Sequence, residues 1–240
     1  MHPQHKVILE IVRRHTQKSP SNTAPDSYLG TSHPRYSINV PDMRAIAKDW
    51  IHKNAKTDVK TFSAVLTSLV NGKSCTEKFL AGLLLNLAKG DLRAIEPKLI
   101  EQWLDHLEGW AEIDTLCTGN FAATEIPRQW PVWKKILNDL SRSPNINKRR
   151  ASLVMFCTPL RKTDDPRLLP AALKNINRLK REKGVIITKA ISWVLRCGAV
   201  NHKAAIKKYV DLNEETLPKI AVRETRMLLT TGRKTKPKKK

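Results

Sequence analysis

The chain has 240 residues, 40% of them hydrophobic, and carries 44 Lys and Arg against 22 Asp and Glu, a formal net charge of +22. That is enough apolar material for one buried core or a short array of repeats. It is also enough positive charge to favour phosphate backbones as partners, with fast, salt-sensitive association; the plainer alternative is a merely soluble basic protein. The four cysteines, Cys75, Cys117, Cys157 and Cys197, form no CxxC pair and have no histidine at ligand spacing. This argues against a metal site or a disulfide framework and for a reducing, cytoplasmic compartment, nucleoid-associated in a prokaryote. The N-terminus lacks a signal-peptide apolar region and the longest apolar run is far below spanning length, so no membrane is expected as a partner.

Strand signals are nearly absent: no alternating Val/Ile/Thr run is bounded by a tight Asn-Gly or Asp-Gly turn. In chain order, helical periodicity predicts a first helix over Pro3–Lys18. Ser19–Ser37, rich in Ser, Pro, Asn and Thr, reads as a long loop. A second helix opens at Pro41, with Asp42 in its first turn and Met43, Ile46, Ala47 and Trp50 on one face. A third runs over Val59–Val70. Ser74-Cys75-Thr76-Glu77 is a capping box ahead of Phe79, Leu80, Leu83, Leu84 and Leu87. Pro97 opens a helix through Leu99, Ile100, Trp103, Leu104 and Leu107. Later starts are placed near Trp110, Pro127, Ile146, Pro166, Lys183, Asn201 and Asn213. Thr231–Lys240, basic and without apolar content, reads as a disordered tail that adds non-specific phosphate attraction to a single domain over 1–230.

Alternate starts fall near residues 41, 74, 110, 146 and 183, steps of about 35 residues, which matches two-helix solenoid units. The expected fold is therefore all-α, a superhelical solenoid of HEAT-like two-helix repeats with a concave basic face; an irregular helical bundle stands as the alternative. Equivalent helices of a solenoid line one surface. Trp110 and Asp114, Arg149 and Arg150, and Lys189 and Trp193 all lie on first helices of successive pairs, and are expected to face a common groove.

Trp110 and Asp114, four residues apart, share one side of a helix. An Asp is by default a solvated surface acid or a partner for a nearby Arg. Here Ile113, Leu116, Cys117 and Phe121 surround it, and partial desolvation makes it a functional candidate. Trp110 and Trp193 read either as core residues or as stacking platforms, the second requiring partial exposure; Trp50, Trp103, Trp130 and Trp133 fit apolar stripes. One of the adjacent Arg149 and Arg150 must point off the apolar face, to hold phosphate or to stand as a solvated basic helix end. No GxSxG, HExxH, P-loop or dinucleotide fingerprint appears, so an enzyme built on this chain works with few groups and no cofactor.

Four stretches together resemble the AlkD-type DNA alkylation repair proteins, HEAT-like-repeat DNA glycosylases. They are Tyr28-Leu29-Gly30 with Pro41-Asp42-Met43-Arg44, Glu77–Gly82, Trp110-x-x-x-Asp114, and the distinctive Lys189-Ala190-Ile191-Ser192-Trp193-Val194-Leu195-Arg196. The resemblance implies Asp114 as the catalytic carboxylate, Trp110 and Trp193 flanking the deoxyribose, and Arg150 in the same cleft, with Arg149 as the alternative register. Lys189 is expected to contact DNA. The resemblance implies action on double-stranded DNA that carries N3- or N7-alkylated purines, without extruding the base into a pocket, unlike most enzymes of this kind; a monomer is the default for a solenoid that wraps DNA. Gly109 stands where the family's best-known pattern has a second tryptophan, and no clear counterpart of its N-terminal aromatic is visible in Ser19–Ser37. The alternative function is a non-catalytic helical-repeat protein that binds damaged or distorted DNA; a protein–protein adaptor is the third.

Overall fold

The computed structural model describes residues 1–16 and 26–235. The helices are α1 (Pro3–Thr16), α2 (Asp26–Leu29), α3 (Val40–Lys53), α4 (Val59–Val70), α5 (Cys75–Leu87), α6 (Pro97–Trp103), α7 (Gly109–Cys117) and α8 (Asn120–Arg128). They continue with α9 (Trp130–Leu140), α10 (Ile146–Val154), α11 (Cys157–Lys162), α12 (Leu168–Leu179), α13 (Val185–Gly198), α14 (Lys203–Leu212) and α15 (Lys219–Thr231). Among the described residues there is no strand, and no helix is long and apolar enough to cross a membrane.

The side chains of Asn39, Asp58, Ser74 and Asn145 each accept a hydrogen bond from a backbone N–H of the helix they precede. Such caps satisfy donors that the first turn cannot pair and are worth about 1 kcal/mol each. At Ser74 the box is complete: Glu77 Oε2 accepts from the Ser74 amide at 2.7 Å, and the Glu77 amide donates to Ser74 Oγ at 3.2 Å. Glu77 also meets His5 Nε2 at 2.8 Å, which joins α1 to α5 through a buried pair.

The chain packs as two compact units, Met1–Phe121 and Ala122–Lys240. In the first, α3 lies against α5 and α5 against α7, with α1 and α4 packed on this row. In the second, α10 lies against α13 and α13 against α15, flanked by α9, α11, α12 and α14. The row helices α3, α5, α7, α10 and α13 are the first members of the expected pairs, so the period seen in the sequence is the repeat of an all-α, helical-repeat fold. Each row is held by apolar stripes: Trp133, Ile136, Leu137 and Leu140 of α9 are all buried, at about 1.5–3 kcal/mol for a large apolar side chain.

Some boundaries differ from expectation. Pro127 does not start a helix; it sits near the end of α8, and the next helix opens at Trp130 with Pro131 in its first turn. Two prolines four residues apart carry opposite meanings, because the missing N–H is harmless only at a helix start. Asn213 is the C-cap of α14, its side-chain amide donating to the Tyr209 carbonyl, and α15 begins only after Pro218. Within the expected 19–37 loop, Asp26–Leu29 forms a short helix, while residues 17–25 lie outside the described residues. The expected tail begins where α15 ends, at the left-handed Gly232; its residues 236–240 also lie outside the described residues.

Candidate active site

The first unit carries Trp110 and Asp114 on α7, and the start of that helix is built around a glycine. Gly109 has φ +66°, and a Cβ there would lie 2.4 Å from the Leu29 carbonyl oxygen and 2.5 Å from Gly30. No side chain fits, because the Tyr28–Gly30 segment crosses at that point. A tryptophan at this position, as in the resembled pattern, would not fit this backbone.

Two carboxylates latch the segment in place. Ser32 donates to Glu108 Oε2 from its amide at 3.0 Å and its hydroxyl at 2.7 Å. These bonds hold the Glu108 carboxyl below the usual carboxylate range. Thr31 Oγ1 donates to Glu112 Oε1 at 2.7 Å, His33 Nδ1 lies 2.9 Å from the same oxygen, and the Glu108 amide donates to Glu112 Oε2 at 2.8 Å. Glu112 is fully buried, and this set of partners is what makes a buried carboxylate tolerable. The neighbouring Cys75 thiol is pushed up to about 12 by burial and by the Glu112 charge.

The latch brings an aromatic to Trp110 that the sequence reading did not identify. Tyr28 is 59% exposed, and its ring stands edge-on to the Trp110 indole, centroids 5.2 Å apart at 79°. The Trp110 Nε1–H donates to the Tyr28 carbonyl at 2.5 Å. The aromatic was legible as a residue but not as a neighbour, since the contact spans 82 positions.

Asp114 follows one turn later, half-buried, between the buried Ile113 and residues Leu116 and Cys117. It lies in the last turn of α7, where its carbonyl accepts from the Thr118 amide and hydroxyl at 3.0 and 2.7 Å. The negative end of the helix dipole opposes a carboxylate there by about 0.3–1 kcal/mol. Its placement depends on a close crossing with α5. A Cβ at Gly82 would lie 2.7 Å from the Thr115 backbone, and Asn86 Nδ2 donates to both the Gly82 and Thr115 carbonyls at 2.9 Å.

The second unit carries the remaining candidates on α10 and α13. Arg150 is buried, and its guanidinium donates to the Ile186 carbonyl in the first turn of α13 at 2.5 Å. Arg149 meets Glu182 at 2.8 and 3.1 Å and donates to the Ser143 and Pro144 carbonyls, both at 2.8 Å. Its fork thus ties the segment before α10 to the turn before α13, and neither arginine is a solvated helix end. On α13, Lys189 is exposed and Trp193, one turn on, is half-buried. The helix is anchored to α15 by Ser192 Oγ, which donates to the buried Glu224 at 2.6 Å.

One contrast separates the tryptophans. Trp50, Trp103, Trp130 and Trp133 are at most 6% exposed, whereas Trp110 and Trp193 are only part-buried. The four assigned to apolar stripes are core, and the two singled out as platforms keep surface available. Among the described residues, no group of three His, Cys, Asp or Glu side chains is placed to hold a metal ion.

Residues 14–229 match the family described as DNA alkylation repair enzyme. The chain belongs to the DNA alkylation repair enzyme family. Its fold is similar to that of a solved structure named as a predicted DNA alkylation repair enzyme from Enterococcus faecalis, at 14% identity, with a TM-score of 0.68, covering 96% of this chain and 97% of that one. No curated protein matches the chain. Membership assigns this DNA alkylation repair protein a role in the repair of alkylated DNA, with DNA as its partner.

Proposed function

We propose that this protein is a monofunctional DNA glycosylase that hydrolyses the N-glycosidic bond of cationic N3- or N7-alkylated purines in duplex DNA, acting as a monomer. The observation that carries the reading is α7 itself: a part-exposed indole and a half-buried carboxylate one turn apart, on a helix whose other face is core.

The chemistry needs little more. N3- or N7-alkylation leaves the purine positively charged, so cleavage of the C1′–N bond returns the electron pair to nitrogen and releases a neutral base. No acid is required to protonate the leaving group, unlike ordinary glycoside hydrolysis with its two carboxylates. Asp114 stabilises the developing oxocarbenium-like sugar and orients the attacking water, which adds to C1′ and gives up a proton. The family resemblance assigns the faces of Trp110 and Trp193 to cation–π stabilisation as charge moves onto the sugar. Tyr28, braced on Trp110, extends the aromatic wall. Arg150 is assigned to the DNA beside the sugar and Lys189 to phosphate; Arg149, whose donors are occupied by Glu182 and two carbonyls, holds α10 and α13 in register.

The test is release of 7-methylguanine and 3-methyladenine from methylated duplex DNA by wild type and Asp114→Asn side by side. The variant is expected to lose about a hundredfold in rate, equivalent to ~2.7 kcal/mol of transition-state stabilisation, with duplex affinity kept. Equal rates would remove the mechanism. Salt-sensitive binding with no base release from wild type would favour the non-catalytic alternative.

A further inference from the structure

In the second unit, and sharing no residue with Arg149, Arg150, Lys189 or Trp193, α9 and α12 enclose a groove of about 760 Å³. Its lining is apolar, with Pro131 and Pro170 exposed and Ala171 half-buried over the buried Trp130 and Phe156, and Lys134, Lys135 and Lys174 stand around it, all exposed. Arg167 forms one wall, 5.9 Å from the Trp130 ring centre, held by Asp165 at 2.6 Å and by the Pro127 carbonyl at 3.0 Å. Two exposed lysines elsewhere, Lys53 and Lys207, pair with Asp49 and Asp211 along their own helices. Among the described residues, no carboxylate pairs with any of the three lysines at this groove.

We propose that this groove docks an acidic amphipathic segment of a partner protein, with apolar side chains seated between α9 and α12 and carboxylates on the three lysines. Charge complementarity selects the occupant. A second copy of a +22 chain is repelled. A nucleic-acid strand needs exposed ring faces on which bases stack. Trp130 is 6% and Phe156 1% exposed, so neither offers one, and a phosphate backbone gains nothing from an apolar floor. An amphipathic helix or turn uses both halves of the site, its apolar residues in the groove and its acids on the rim.

The experiment uses the full-length chain and a fluorescein-labelled helical peptide of about 16 residues, leucines on one face and glutamates elsewhere, read by anisotropy. Its comparators are the same peptide with glutamines for leucines, and single-stranded oligothymidine of similar charge. The leucine peptide is expected to bind, the glutamine peptide roughly tenfold or more weakly. Ala171→Trp, which fills the groove without changing charge, and Lys174→Glu are each expected to weaken the leucine peptide by about tenfold. Base release and duplex binding by Ala171→Trp stay at wild-type levels, which shows the variant folded and separates this site from the proposed glycosylase. Three results overturn the proposal: no binding of the leucine peptide up to about 100 µM, equal binding of the two peptides, or oligothymidine binding that is lost with Ala171→Trp.

Discussion

Helices α7 and α13 make a matched contrast. Each presents one part-exposed tryptophan with a charged residue one turn away: Asp114 after Trp110, Lys189 before Trp193. What differs is how each helix is held. The start of α7 is latched by carboxylates, Glu108 and Glu112, gripping the hydroxyls of Thr31 and Ser32, the Ser32 amide and the His33 ring. The start of α13 is held by guanidinium groups, Arg150 on the Ile186 carbonyl and Arg149 on Glu182. In a chain this basic, acids hold the start of one helix and cations the start of the other. The comparison also separates structure from function within one charge type, since Glu112 and Arg149 are consumed by their neighbours.

Several measurements sharpen or break this division, and the Asp114→Asn rate loss is the largest. Arg150→Ala is expected to lower base release by about tenfold or more, the cost of a lost charged hydrogen bond. Arg149→Ala should act mainly on thermal stability; a larger rate loss for Arg149 than for Arg150 would reverse the assignment. Gly109→Ala places a Cβ against Leu29 in a left-handed backbone. It should cost at least about 2 kcal/mol and lower the melting temperature by several degrees. Gly90→Ala, at φ +52° with nothing within 4 Å, keeps only the backbone strain and serves as the control. If the two variants melt alike, the crossing of residues 28–30 over α7 is wrong.

A smaller effect appears with acid. Burial alone would raise the Glu77 carboxyl, but hydrogen bonds from His5 and Ser74 hold it below its ordinary 4.5. A group whose folded value is depressed contributes stability that is complete above the unfolded value and lost as pH falls through the folded one. The first unit should therefore soften below about pH 4.5, and Glu77→Gln should flatten that limb of a melting-temperature profile while lowering stability at neutral pH. A profile of unchanged slope would show that the buried His5–Glu77 pair is not linked to unfolding. Smallest of all, Lys189→Ala should reduce the slope of log affinity against log salt by about one, evenly across DNA sequences.

Periodicity, caps and charge carry much of this protein on the sequence alone. Val59–Val70 and the Ser74 box appear where local chemistry put them, because a cap and an apolar stripe are satisfied within a few residues of themselves. The pairing of Trp110 with Asp114 was equally local, one helical turn. Tertiary structure decided the rest. Which tryptophans keep surface, which of two adjacent arginines is buried, why position 109 tolerates only glycine, and that Tyr28 braces Trp110 all depend on contacts between residues far apart in the chain. No window of sequence contains both partners of such a contact, and so only the packed chain shows it.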